Sequence, residues 1–236
     1  MIDLRRRSDQ KELLDGDTIP FTALKRNLKE LNFINTWLGG HTITLRGIKR
    51  SLSNVEMLQP ITICEIGCGG GDNLFVIYQY CIDNKIKANF IGVDLNEGCI
   101  NYARQRYPQL TWICSDYAKV KFERNPTVIF SSLFCHHFTD DQLIEMLQWL
   151  QQNSRNAFFI NDLQRHPLPY FLIKYSTKIF SRSYLVKNDA CLSVARSFIK
   201  KDWIELFKQA GIKNYTISWQ WAFRWLVMVD NKLLHE

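Results

Sequence analysis

The stretch "ICEIGCGGGDN", residues 63–73, places four glycines within five positions, directly behind an apolar run and an acidic residue. Glycine permits a tight turn and lets a ligand approach the backbone. An apolar run that ends in such a loop and continues as a helix is a unit of an open α/β sheet, in which ligands bind at the carboxyl ends of the strands. The loop is not a dinucleotide fingerprint: counted from Gly67, the third glycine of GxGxxG would fall at Asp72. A phosphate-binding P-loop is excluded because no GK[ST] follows.

The segments around the loop alternate in the same way. "ITICEI", "NFIGVD", "LTWICSD", "TVIFSSLF" and "AFFIND" predict five strands within residues 56–163. Helices are expected through "NLFVIYQYCIDN", through "CINYARQRY" and across the face made by Leu143, Met146, Leu147 and Leu150. Such alternation implies a parallel sheet covered on both faces. Residues 1–55 read as a basic helical cap segment ahead of a main domain at 56–236. Thr22 is expected to cap a helix carrying Leu24, Leu28 and Leu31, and "WLGGH" breaks it. Residues 164–198 depart from the rhythm and read as an inserted lid, aromatic and basic. It carries Tyr170, Phe171, Tyr175, Phe180 and Tyr184 among Lys174, Lys178 and Arg182. A helix through "KKDWIELFKQAG", closed by Gly211, follows. "YTISWQWAF" and "RWLVMVD" then read as an antiparallel pair at the sheet edge, packed by Trp219, Trp221 and Trp225.

The 236 residues suit one large domain, and an apolar fraction of 46% is enough for a sizeable core. The net charge of +7 fits an anionic acceptor, nucleic acid or a membrane surface, and equally a charge that serves only solubility. The seven cysteines are odd in number and none forms a CxxC pair, which argues for a reducing, cytoplasmic setting and against a disulfide framework or zinc site. No metal is expected. The start "MIDLRRRSDQ" has no signal-peptide h-region, and no uncharged apolar run reaches membrane-span length.

Three strands in succession end on a carboxylate: Glu65 before the glycines, Asp94 in "GVDLN" and Asp116 in "CSDYA". A carboxylate at the second position suits the two hydroxyls of a ribose, and one at the third suits the amino group of adenine. With these residues in place the chain resembles the class I S-adenosylmethionine-dependent methyltransferases: "EIGCGGG" looks like their first motif, "VDLN" their second and "SDY" their third. The resemblance implies a Rossmann-like, seven-stranded, mostly parallel sheet with one antiparallel edge strand, helices on both faces, N-terminal helices and a helical lid insert. It also implies S-adenosylmethionine as cofactor and S-adenosylhomocysteine as product. Glu65, Gly67, Cys68, Gly69 and Gly71 would line the methionine and ribose side. Asp94 would hold the ribose hydroxyls, Leu95 would pack on adenine, and Asp116 would take its amino group beside Tyr117. Ser132, at the end of the fourth strand, completes the expected cofactor set.

His136 and His137, in "FCHHF", fall where this superfamily faces both methyl and acceptor, and either is a candidate base because imidazole accepts a proton near neutral pH. The pair also fits a helix cap or loop support. No Asn-Pro-Pro-Tyr segment follows the fourth strand, which argues against methylation of exocyclic base nitrogens or glutamine amides. "INDLQRHPLPY", "CLSVARSF", "ELLD" and "WLGGH" resemble small-molecule methyltransferases associated with bacterial polyketide pathways. This implies a small phenolic, enolic or polyketide-like acceptor, with O-methylation ahead of C-methylation. Asp162, Arg165 and Tyr170 are expected on the acceptor side, and Arg165, Arg196 or the N-terminal arginines as partners for an anionic oxygen. The rival readings are an RNA or protein methyltransferase, a cofactor-binding protein without catalysis, and a nicotinamide enzyme. The oligomeric state is open, a homodimer included.

Overall fold

A computed structural model describes residues 3–16, 19–53, 55 and 59–231. Seven strands form one sheet: β1 (Ile61–Ile66), β2 (Ala88–Asp94), β3 (Thr111–Cys114), β4 (Val128–Ser132), β5 (Ala157–Leu163), β6 (Tyr215–Gln220) and β7 (Arg224–Asp230). Their order is β3-β2-β1-β4-β5-β7-β6. β1 to β5 pair in parallel, and β7 runs antiparallel to both β5 and β6. The antiparallel member of the edge hairpin therefore lies one place in from the edge, and β6 closes the sheet. The order reverses between β1 and β4, so the glycine loop that follows β1 opens at the topological switch point.

The strands are apolar on both sides because helices cover both. α5 (Asp140–Asn153) and α8 (Lys200–Gln209) bury Leu143, Met146, Leu147, Leu150, Trp203, Leu206 and Phe207 against one face. α2 (Gly40–Leu52), α3 (Asp72–Asp83) and α4 (Glu97–Arg106) bury Ile43, Ile48, Leu74, Ile77, Ile100 and Ala103 against the other. α5 starts as a capping box, Thr139 with Gln142, which stabilises its first turn by about 1 kcal/mol.

α1 (Phe21–Trp37) begins after Pro20, not at Thr22. Proline fixes φ near its helical value and has no N–H to satisfy, so the helix starts at the next residue and Thr22 lies inside its first turn. Gly39, with φ +76°, bends the chain into α2. α2 lies flat on the sheet, where Gly47 meets the Phe159 ring: a Cβ there would stand 2.6 Å from it. The insert at residues 164–198 is two helices, α6 (Pro167–Phe180) and α7 (Tyr184–Arg196). α7 is anchored by buried Leu185, Val186, Leu192 and Val194, whereas α6 exposes Leu168, Phe171, Leu172, Tyr175 and Ile179. In the edge hairpin Trp225 is buried, and the more exposed Trp219 and Trp221 set their rings against Phe223 of the same hairpin. No helix among the described residues is long and apolar enough to cross a membrane.

Candidate active site

A cavity of about 1080 Å³ opens over the carboxyl ends of β1, β2 and β4 and the residues after β3. The glycine loop forms its floor. Gly67, Gly69 and Gly71 all have positive φ, but for different surroundings. A Cβ on Gly67 would lie 2.2 Å from the Phe134 ring, and one on Gly71 2.3 Å from Trp112. Only Gly69 faces open space, its nearest neighbour being Leu28 at 3.6 Å. Two of the glycines thus admit aromatic rings from the protein itself, and one keeps the backbone bare to the cavity. Gly92, which the sequence motif does not include, serves the same Trp112 ring, with a Cβ 2.3 Å away.

Asp94 ends β2 with both oxygens engaged: Oδ2 accepts from Gly69 N at 2.8 Å and Oδ1 from Asn96 N at 2.9 Å. It thereby ties the glycine loop to the second strand while still lining the cavity. Burial raises its pKa above the ordinary carboxylate range, opposed by those backbone N–H groups. Leu95 beside it is 75% exposed, an unusual place for an apolar side chain unless something covers it. Asp116 accepts from Ala118 N through Oδ1 and caps a short 3₁₀ turn while also lining the cavity. Tyr117, Ser132 and Cys68 also line this cavity. Burial pushes the Cys68 thiol well above its ordinary pKa, so it is a small inert filler.

Glu65 is 1% exposed, and burial raises its pKa well above the carboxylate norm. Its Oε1 accepts from Asn73 Nδ2 at 3.3 Å, and its Oε2 is buried with no hydrogen-bond partner among the described residues. Asn73 in turn meets His41 Nδ1 through Oδ1 at 2.7 Å. The other ring nitrogen of His41, Nε2, meets Asn32 Oδ1 at 2.9 Å. Asn73 and His41 were not singled out in the sequence; the signal available was the position of Asn73 in the first turn after the glycines.

A second, smaller and mainly apolar cavity of about 130 Å³ lies beside the first, roofed by α1, α6 and α7. Leu14, Leu31, Leu133 and His137 line both cavities. The histidines reach this boundary because β4 stops earlier than "TVIFSSLF" suggests. Leu133 takes φ +54° and the chain enters a 3₁₀ turn, Cys135–His137. His136 is buried, with Nδ1 2.7 Å from Asp162 Oδ1, and its Nε2 stands 3.6 Å from Glu12 Oε1. His137 has Nδ1 2.7 Å from Asp15 Oδ1 and Nε2 3.9 Å from Glu12 Oε2. Burial works against ionisation of Asp162, but His136 holds its pKa below the usual range. Burial pushes Glu12 up to about 7.

Glu12 and Asp15 come from the "ELLD" segment, strapped to α7. Asp189 accepts from Leu13 N and Leu14 N at 2.9 and 3.0 Å. Arg196 donates to the carbonyls of Gln10, His136 and His137. Arg7 donates to the carbonyls of Arg196 and Phe138. Arg165 is buried, bonded to Leu4 O, Ser197 O and Asp202, and lines neither cavity. Of the arginines expected to meet an anionic acceptor, Arg7, Arg165 and Arg196 are structural staples, with Arg196 also on the larger cavity wall, and Arg5 pairs with Asp3 at the surface. Tyr170 packs on Phe171 and is absent from both cavity walls, while its neighbours Pro169 and Ile173 line the smaller one. Arg224, buried and bonded to Asn35, lines the smaller cavity as well, with burial lowering its pKa to about 10.

Residues 63–156 match the profile of a methyltransferase domain. Fold and match agree: residues 63–156 are similar to a methyltransferase domain and lie within a doubly wound α/β sheet. Among solved structures, the plantazolicin methyltransferase BpumL in complex with SAH is similar over 87% of this chain and 89% of its own, at 16% identity and TM-score 0.68. The magnesium protoporphyrin IX methyltransferase of Synechocystis PCC 6803 with bound SAM is similar over 92% of this chain and 99% of its own, at 11% identity and TM-score 0.55. The CurJ carbon methyltransferase is similar over 80% of this chain and 54% of its own, at 13% identity and TM-score 0.58. No curated protein matches the chain.

Proposed function

We propose that the chain methylates a small phenolic, enolic or polyketide-like acceptor, using S-adenosylmethionine, with oxygen favoured over carbon. The observation that carries this reading is the pair of adjoining cavities, one large and lined by carboxylates, one small, apolar and roofed by helices, meeting at His137. The residues of the larger cavity fit the cofactor. Glu65 Oε2 is a buried acceptor without a partner among the described residues, suited to an ammonium group. Asp94 retains lone pairs for the ribose hydroxyls, and exposed Leu95 offers an apolar face for adenine. The cofactor supplies a methyl group on a sulfonium, already electrophilic, so the protein's part is to align the acceptor, exclude water and deal with its proton.

The third task falls to Glu12, His136 and His137 at the wall between the cavities, with Asp162 and Asp15 holding the two rings. The small, enclosed volume of the second cavity favours a small acceptor over RNA or a protein segment, and its apolar lining suits an aromatic or aliphatic body. Calorimetric titration with S-adenosylmethionine and, separately, with NAD tests the cofactor: micromolar binding of the first and none of the second is expected. A panel of phenols and enolisable polyketides then tests the acceptor. RNA binding whose log affinity falls steeply with log salt would favour the nucleic-acid reading instead.

A further inference from the structure

Glu12, His136 and His137 present three ligand atoms that all lie within 4.8 Å of one another. The separations from the imidazole Nε2 atoms to Glu12 are 3.6 and 3.9 Å, too long for hydrogen bonds. They are close to the spacing of ligands that share an ion: two groups at about 2.1 Å from a tetrahedral zinc stand about 3.4 Å apart. Each imidazole turns its other nitrogen to a carboxylate at 2.7 Å, His136 to Asp162 and His137 to Asp15. That carboxylate–histidine pairing is how metal-binding imidazoles are oriented, with Nδ1 donating and Nε2 left free as a ligand. The charge around the cluster points the same way. Glu12, Asp15, Asp162 and Asp189 gather there, and the guanidinium nearest to them in an ion pair is Arg196, 3.6 Å from Asp15.

We propose that Glu12, His136 and His137 form a site for one divalent transition-metal ion at the boundary of the two cavities. Two imidazoles and one carboxylate favour zinc, cobalt or a similar ion over magnesium, which prefers oxygen ligands. All three residues line the smaller cavity, so the remaining coordination positions face the space assigned to the acceptor. The role, which rests on the proposed methyl transfer, is to let these three residues deal with the acceptor's proton through the ion they hold: the ion would bind the acceptor oxygen and stabilise its anion, the O–H proton leaving to bulk solvent before water is excluded and the methyl is transferred. The sequence expectation of no metal rested on cysteine spacing; these ligands come instead from positions 12, 136 and 137, which no local motif joins.

The test uses the full chain stripped with a chelator and titrated with Co²⁺, read by visible ligand-field absorption and by metal analysis after dialysis. One Co²⁺ per chain is expected, displaced by Zn²⁺ and not by Mg²⁺. Asp15→Asn, which leaves every ligand in place, should weaken binding by about 10–100-fold, and Glu12→Gln should weaken it further. Paramagnetically shifted imidazole proton signals in the wild-type Co²⁺ form give a reading that needs no variant. No uptake by the wild type would overturn the site and leave the two imidazoles to share protons with the surrounding carboxylates. Uptake that Glu12→Gln leaves unchanged would overturn it too. Cofactor binding is measured separately: cofactor binding without metal uptake overturns only the ion, and metal uptake without cofactor binding overturns only the methyl-transfer reading.

Discussion

The three carboxylates expected to hold the cofactor, Glu65, Asp94 and Asp116, line the larger cavity each at or just beyond the end of its own strand, whereas the smaller cavity draws Glu12, Asn27, His136, Asp189 and Arg224 from five separate segments. Register places the first set: once β1, β2 and β3 pair, Glu65, Asp94 and Asp116 arrive on one rim. The second set depends on staples. Asp189, Arg7 and Arg196 must hold residues 7–14 against α7 and the loop after β4 before Glu12 reaches the histidines. The two halves of one site therefore differ in how their geometry is held, and variants should separate them.

The sharpest separation is expected at the histidines. His136→Gln or His137→Gln should lower turnover by about 10²–10⁴-fold while calorimetry finds cofactor affinity unchanged. A loss of cofactor binding would show that the two cavities are not separable. Asp94→Ala should do the reverse. Losing two charge-assisted hydrogen bonds weakens cofactor binding by more than about 100-fold, and Co²⁺ uptake should remain. Wild-type cofactor affinity in that variant would refute the assignment of Asp94.

Stability probes the glycine loop itself. Gly67→Ala should destabilise the fold by about 2–3 kcal/mol in chemical denaturation, because its Cβ has the Phe134 ring in the way as well as a positive φ. Gly211→Ala, at φ +75° with nothing within 4 Å, should cost only about 1 kcal/mol. Equal losses at the two positions would mean that backbone conformation alone accounts for Gly67.

The smallest expected effect is at Glu65. Its pKa is raised by burial, so its contribution to stability is present below about pH 4.5, the ordinary value, and is lost as pH rises through the folded-state value. Glu65→Gln should therefore raise the melting temperature of the free protein at neutral and alkaline pH and change it little in acid. The same substitution should weaken cofactor binding about tenfold. A variant less stable than wild type at pH 8 would mean that Glu65 is not the buried, unmatched charge described above.

The same contrast explains what the sequence made legible. The β/α order, the glycine loop and the acidic strand ends could be read because each is a short run with its own signal. The helix start could not be read at Thr22, since Pro20 fixed it two residues earlier. Nor could the early end of β4, which depends on Leu133 adopting φ +54° where Leu133 N donates to Asn161 O at 2.9 Å. "ELLD" and "CHH" were both visible as motifs. Nothing local says that Glu12 faces His136, because the contact spans more than a hundred residues and is made only once α7 packs. Arg165 and Arg196 mislead for a related reason: a basic residue beside a pocket looks like an anion partner until its donors are traced to Ser197 O, Gln10 O and the histidine carbonyls.

The wall made by Leu14, Leu31, Leu133 and His137 belongs to both cavities, so the cofactor and acceptor sites proposed above would be tied together thermodynamically. Any shift of those side chains that a bound acceptor induces is felt on the cofactor side. By linkage, the factor by which the acceptor alters cofactor affinity equals the factor by which the cofactor alters acceptor affinity. Four shared side chains thus make the order of ligand addition and the affinity of each ligand properties of the pair, so neither constant has a single value until the occupancy of the other cavity is stated.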